Sequence, residues 1–283
     1  MISTGAKSKY SQIRLSVLLI FLLLALQRVQ SQSASRTEGS PNETWAGRRI
    51  VTLQGFGDYF IPGQHGQSEL IRPDGLGVNI VTVVHHVEGE HIWIKANGAG
   101  DAPVGWVNKE NAILLDDAIA YFTSLLDRNP KNWDAYLRRA ESEHALNQRE
   151  PAIADYTKAI ELRPDEPFLF LRRGRAFRTM KACVSAAADF EKAANLKPTW
   201  AELYNQAAGV YVDCPDPARR NPEKAIALIE HAIALDAGAP TYLTVLARAY
   251  FRSGQLEKAV ITQRQHWNRL SSLLDIVRRR QSN

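Results

Sequence analysis

From Asp116 to the C-terminus, small and apolar residues recur in fixed columns. Alanines stand at Ala118, Ala152, Ala186, Ala225 and Ala259, spaced 34, 34, 39 and 34 residues apart. Four residues after each come Phe122, Tyr156, Phe190, Ile229 and Gln263, and seven after come Leu125, Ala159, Ala193, Ala232 and His266. Twelve after come Pro130, Pro164 and Pro198, then Ala237 in place of a fourth proline. The spacing inside each unit predicts two helices, as in Trp133–Ala145 with Pro151–Leu162 and Pro167–Thr179 with Ser185–Leu196. A small alanine lets two helices approach, a large side chain fills the gap between them, and a proline ends one helix and opens the next turn. A proline at a helix start gives up only an N–H that would have no partner there.

A helix-turn-helix of this length resembles the tetratricopeptide repeat (TPR), and AIADYTKAIELRPDEP at 152–167 is close to that family's second helix. The resemblance implies an all-α solenoid with a leading half unit at 116–132, full units at 133–166, 167–200 and 201–239, and a degenerate unit with a capping helix at 240–283. Five extra residues fall in 213–222, a loop with three prolines that should project from one edge, either as a private contact surface or as a neutral insertion. Family members bind extended peptides or helices in a groove lined by the first helix of each unit. The repeat phase carries that role to Leu137, Glu141 and His144; to Leu171, Arg175 and Arg178; to Asn205 and Gly209; and to Thr244, Arg248 and Phe251. Arg175, Arg178 and Arg248 either favour an acidic partner or only solvate the groove. The Lys/Asn/Arg set with which chaperone-binding members hold a terminal carboxylate is not present in register.

Ahead of the repeats, at 48–113, β-branched and aromatic runs alternate with glycine. Strands are predicted at 48–53, 77–87, 91–96 and 104–108, with a hairpin at Glu88-Gly89-Glu90. Strict alternation sends His85 and His86 to opposite faces, so they cannot chelate one ion together, and leaves His86 and His91 to pair across the hairpin. The strand His91-Ile92-Trp93-Ile94-Lys95 and the run Gly105-Trp106-Val107-Asn108 resemble bacterial SH3-like domains, which implies a small all-β barrel that binds peptides or cell-wall components. Residues 54–76, with five glycines and two prolines, read as a long irregular loop. On that resemblance Tyr59, Phe60 and Trp93 are candidates for an SH3-type groove.

Residues 1–31 carry Lys7, Lys9, Arg14 and Arg28, no acidic residue, and an apolar run from Leu15 to Leu26. Twelve residues rise about 18 Å as a helix, short of a ~30 Å hydrocarbon core. A basic start, a short apolar centre and small residues at Val29 and Ser31 predict a signal peptide for export to the periplasm or outside, with an uncleaved anchor as the alternative. Residues 32–47 read as a polar tether.

No phosphate loop, nucleophile elbow or H-E-x-x-H motif is found, so a non-catalytic scaffold without cofactor or metal is expected, with a protein or peptide ligand. A cell-envelope structural or wall-binding protein is the alternative. Cys183 and Cys214 lie in neighbouring repeat turns and are expected as buried thiols, with a disulfide open to an exported protein. The chain holds 35 basic and 30 acidic residues, but removal of 1–31 leaves 31 against 30, so the basic balance gives no support to nucleic acid binding.

Overall fold

The computed structural model describes residues 45–53, 59–62, 68–71, 81–95, 104–237 and 239–281. The proposed signal and most of the tether lie outside them. Seven strands come first: β1 (Arg49–Thr52), β2 (Tyr59–Pro62), β3 (Ser68–Ile71), β4 (Val81–Glu88), β5 (His91–Lys95), β6 (Val104–Asn108) and β7 (Ala112–Leu114). They form one antiparallel sheet in the order β3-β2-β6-β5-β4-β1-β7. Among the described residues this sheet is open, with edges at β3 and β7, where closure into a barrel was expected. The last strand runs only three residues before the chain enters a helix, so it joins the sheet to the helices instead of returning to β3. The stretch read as irregular loop contains the β2–β3 hairpin, registered Tyr59 to Ile71 and Phe60 to Leu70.

A bulge breaks the expected alternation in β4. Val84 pairs with Ile94 and His86 with Trp93, which leaves His85 as the extra residue. His85 and His86 are therefore both exposed, and Val87 returns to the face of Val84, packing with Ile92, Ile94 and Val107. His91 pairs with Glu88, not with His86. The turn has Gly89 at φ +55°, backbone that glycine adopts without a Cβ penalty.

Nine helices follow among the described residues: α1 (Leu115–Arg128), α2 (Trp133–Ala145), α3 (Arg149–Leu162), α4 (Pro167–Thr179), α5 (Cys183–Leu196), α6 (Ala201–Asp213), α7 (Pro222–Leu235), α8 (Pro240–Arg252) and α9 (Leu256–Gln281). The column residues Ala118, Phe122, Ala152, Tyr156, Ala186, Phe190, Ala225 and Ile229 are all buried between helices. Pro167, Pro222 and Pro240 open their helices, and the side chains of Asn132 and Asn221 cap α2 and α7. Asp116 and Asp117 lie in the first turn of α1, where a negative charge complements the helix dipole.

Turns between the paired helices put Asn147, Lys181 and Gly254 in left-handed backbone, at φ 64°, 60° and 79°. The unit 201–239 replaces that turn with its insertion, which folds back on itself. A short 3-10 turn spans Pro217–Arg219, and Arg220 Nε donates to Cys214 O at 2.7 Å. Cys183 and Cys214 form a disulfide, their Cα atoms 5.9 Å apart, where thiols were expected. The bond ties the start of α5 to the C-cap of α6 and closes one side of an open cleft of about 320 Å³, lined in part by Lys181, Ser185, Asp216 and Arg219.

Sheet and solenoid share a core. Val51 belongs to the same buried cluster as Leu115, Phe122, Leu137 and Leu171, with Leu53, Val81 and Ile113 packed against it. Polar contacts close the seam: Arg138 Nη1 donates to Thr52 O, Arg49 Nη1 to Ala145 O at 2.9 Å, and Arg48 pairs with Asp116 at 2.6 Å.

Candidate functional site

The first helices of successive units, α2, α4, α6 and α8, carry the residues assigned to the groove by phase, and the structure divides them. Leu137 and Leu171 are core, at 3% and 1% exposure, and present nothing to a ligand. Glu141 is buried too. It accepts the Tyr156 hydroxyl at 2.7 Å and lies 3.5 Å from Arg172 Nε. Burial, reinforced by the Glu141 charge, holds the Tyr156 phenol well above its ordinary pKa, so it stays a donor. His144 is half-buried, 3.5 Å from the Thr179 hydroxyl.

One unit further on, a polar cluster spans α4 and α6. Glu202 accepts from Asn205 Nδ2 at 3.1 Å and from Gln206 Nε2, and lies 3.8 Å from Arg175 Nη2. Arg178 Nη1 donates to Gln206 Oε1 at 2.5 Å. Burial, with Arg172 and Arg178 nearby, lowers the Arg175 pKa from its ordinary value although Glu202 opposes the shift, and the guanidinium remains cationic at neutral pH. Asn205 Oδ1 is buried and has no hydrogen-bond partner. Beside it, a Cβ added to Gly209 would meet no atom within 4 Å, so the helix leaves open space there. Further along, Arg248 pairs with Asp213 at 2.8 Å, and Phe251 stands 61% exposed. Burial, with Glu202 adding to it, raises the Tyr242 phenol to about 12.

Of the residues placed by phase, Arg175 and Asn205 are half-buried and Arg178, Arg248 and Phe251 exposed, while Glu202, Gln206 and Asp213 were not among them. Those three sit on α6 as the polar partners of the arginines, and their spacing of four between Glu202 and Gln206 is the signal that a one-sided reading of cations overlooked.

In the sheet, the register aligns His86, Trp93, Trp106 and Phe60 in one row across four strands. Trp93 and Trp106 meet edge to face with ring centroids 5.3 Å apart, and His86 lies 5.9 Å from Trp106. Both tryptophans are half-buried on the face opposite Ile92, Ile94 and Val107. Trp93 is thus joined by Trp106 and His86, whereas Tyr59 is one residue off this row; only the backbone of Tyr59 and Phe60 is described. Among the described residues no group of three or more His, Cys, Asp or Glu is arranged to hold a metal.

The tetratricopeptide-repeat family profile matches residues 114–167 and 218–266. Two solved structures of MamA share the architecture. One is 19% identical, covering 57% of this chain and 91% of that one at a TM-score of 0.52; the other, residues 41 to the end of MamA from Desulfovibrio magneticus RS-1, is 18% identical, covering 56% and 86% at 0.51. The helical part of the chain is a TPR array. The helix pairs at 167–213, which the profile passes over, carry the same alanine, phenylalanine and proline columns, so the TPR packing is continuous through them. No curated protein sequence matches the chain.

Proposed function

We propose that this protein is an exported, non-catalytic scaffold that holds an extended protein segment against the α4–α6–α8 face of its TPR array. The observation that carries the reading is the cluster of Arg175, Arg178, Glu202, Gln206 and Asn205, in which a buried amide oxygen lacks a donor next to open space at Gly209. An unpartnered buried acceptor costs about 1–3 kcal/mol, and a peptide N–H laid along the groove supplies what it lacks. The sheet domain shares its core with the first unit, so the accessible groove begins at α4 and not at α2. Export is supported by the basic-then-apolar N-terminus and by the Cys183–Cys214 disulfide, since such bonds persist in oxidising compartments. Among the described residues no helix is long and apolar enough to cross a membrane.

The test is a crosslinking pull-down from the exported fraction with the wild-type chain, Asn205→Leu, and the charge reversal Arg175→Glu with Arg178→Glu. Loss of the same captured species in both variants supports groove binding. Capture unchanged by either variant removes the groove from the function.

The aromatic row favours a second reading, in which an SH3-like sheet domain binds cell-wall material. A row of edge-to-face rings across β4, β5 and β6 offers an aromatic contact surface that packing alone does not need, since the opposite face already supplies the core. Co-sedimentation with cell-wall material that is lost in Trp93→Ala with Trp106→Ala, and kept in the groove variants, distinguishes this reading from the first.

A further inference from the structure

Every helix pair of the array closes its turn with the same backbone bond. In the units 133–166, 167–200 and 240–283, the N–H groups of Gln148, Ala182 and Gln255 reach back to the carbonyls of Glu143, Phe177 and Tyr250, at 2.8, 3.0 and 2.9 Å. In the unit 201–239 Asn221 N–H makes that bond to Tyr211 O at 3.0 Å, ten residues along the chain where the others are five. The insertion is thus an excursion from a turn already closed at its base, and the α6–α7 pairing needs no covalent bond to hold it. The other hydrogen bonds of the loop, and the Arg219–Asp216 ion pair at 3.6 Å, also close within residues 210–225. The disulfide does something else: it ties the loop to Cys183, in the turn of the preceding unit, across an open cleft instead of a packed contact.

That cleft also gives access to the bond. Both cysteines line it, Cys183 half-buried and Cys214 at 3% exposure, and residues 215–219 beyond them are all exposed. Lys181 and Arg219 stand on its walls against the one carboxylate of Asp216, which leaves a net positive charge on the path of an incoming thiolate. Val184, 58% exposed, adds an apolar contact at the rim.

We propose that Cys183–Cys214 is a thiol–disulfide exchange site, a clasp that a dithiol opens to release the loop 214–221 from the preceding unit. A thiolate of the dithiol attacks Cys183 Sγ, the more accessible sulfur. A mixed disulfide forms, the protein's own bond breaks, and Cys214 leaves as a thiolate that takes up a proton. The second thiolate of the reductant then attacks its partner sulfur in the mixed disulfide and releases Cys183. Two electrons and two protons pass to the cysteines, and the dithiol ends as a disulfide. Cys214 directly follows Asp213, which pairs with Arg248 of α8 at 2.8 Å, so the opened clasp also slackens the α6 end of the groove. That consequence rests on the groove reading, whereas the exchange does not.

The test uses the full oxidised chain and dithiothreitol as the dithiol. Reduction, read by mass as alkylation of both cysteines, should proceed at a rate that stays flat in urea up to the onset of unfolding. A rate that climbs with urea in step with the unfolding constant overturns the proposal, because the bond is then reached only through the unfolded chain. With glutathione as a monothiol, the trapped mixed disulfide should sit on Cys183, and its capture on Cys214 overturns the proposed attack. Lys181→Glu should slow reduction about threefold at low salt, an effect lost at high salt. A rate unchanged at low salt takes the cleft out of the path and overturns the site. In the reduced chain, and in Cys183→Ser with Cys214→Ser, amide exchange at Ala218, Arg219 and Arg220 should rise about tenfold or more, while Asn221 and the helices keep their protection. Loop protection unchanged by reduction means that the bond clasps nothing, and overturns the proposal. None of these readouts uses a partner, so they stand or fall separately from groove binding.

Discussion

In the units 133–166 and 167–200, an arginine of the first helix grips a carboxylate of the second. Arg139 holds Asp155 through two bonds of 2.5 and 2.8 Å and donates to Thr123 of the preceding helix at 3.0 Å. Arg173 repeats this with Asp189 at 2.9 and 2.8 Å and Thr157 at 3.0 Å. In the last two units the same columns hold Ala207 with Leu228 and Leu246 with Thr262, and the threonine column becomes Glu191 and Glu230. Those glutamates accept the hydroxyls of Tyr211 and Tyr250 at 2.7 and 2.8 Å, from a column that holds Phe177 and Glu143 earlier in the array. One helix crossing is therefore held by two chemistries, a desolvated charge bracket or an uncharged pair with a tyrosine tether. Geometry is common to both, so the bracket is a way of fixing the crossing and not a requirement of it.

The sharpest way to break that comparison is to leave one bracket half made. Arg173→Ala strands Asp189, 5% exposed, without its cation, and should cost about 3 kcal/mol in denaturant unfolding. Combining it with Asp189→Leu copies Ala207 with Leu228 and should recover most of the loss, because an apolar pair of similar volume replaces a buried ion pair at little cost. Equal destabilisation by the single and double variants would show that the bracket does more than cancel its own desolvation.

Next in size is the exception in the tyrosine column. Glu143 is 7% exposed, its Oε2 has no hydrogen-bond partner, and burial, with repulsion from Asp155, pushes its carboxyl up to about 7 against the relief given by Arg139. The folded state therefore holds a proton that the unfolded state has lost. Stability should fall as pH rises from 4.5 to about 7 and stay low above it, by about 2 kcal/mol. Glu143→Gln should flatten that slope in urea titrations across the range. A slope unchanged by the substitution would assign it to another group.

The repeat columns were legible because alanine, aromatic and proline positions obey one spacing, and burial follows that spacing directly. The brackets were equally periodic, Arg139 with Arg173 and Asp155 with Asp189, yet charges 16 residues apart read as solvated faces until the helices are folded together. Leu137 and Leu171 read as groove residues by phase but belong to the buried cluster that the helices share with Val51 of β1, which joins distant segments of the chain. The His85 bulge and the β2–β3 hairpin depend on pairing partners far along the chain, which alternation within one strand cannot register. The disulfide likewise needs the approach of α5 and α6, for which 31 residues of separation gave no geometric warrant.

Two glycines sharpen the contrast between the halves with smaller effects of opposite sign. A Cβ on Gly174 would lie 2.8 Å from a Phe190 ring carbon, whereas Ala140, Ala208 and Ala247 occupy the same position in the other units. Gly174→Ala should therefore destabilise by about 1–2 kcal/mol despite the better helix propensity of alanine. Gly209 has nothing within 4 Å, so Gly209→Ala should stabilise by up to about 1 kcal/mol. If the groove proposal holds, the second variant should also weaken partner capture by filling the space beside Asn205.

The smallest effect separates the unit with the bracket and disulfide from the last one. Asn147, Lys181 and Gly254 occupy one turn position with positive φ, and lysine is the residue least suited to it. Relief of the Cβ contact with the backbone favours Lys181→Gly by about 1 kcal/mol, and the greater freedom of glycine in the unfolded chain takes back roughly half. The net gain should be about 0.5 kcal/mol in the denaturation midpoint, with Gly254→Ala losing about 1 kcal/mol in the same assay. Both variants leave the Cys183–Cys214 bond in place, so the comparison isolates backbone strain. A loss of stability in Lys181→Gly would mean that the lysine side chain, at the rim of the cleft beside Cys183, contributes more than its backbone conformation costs.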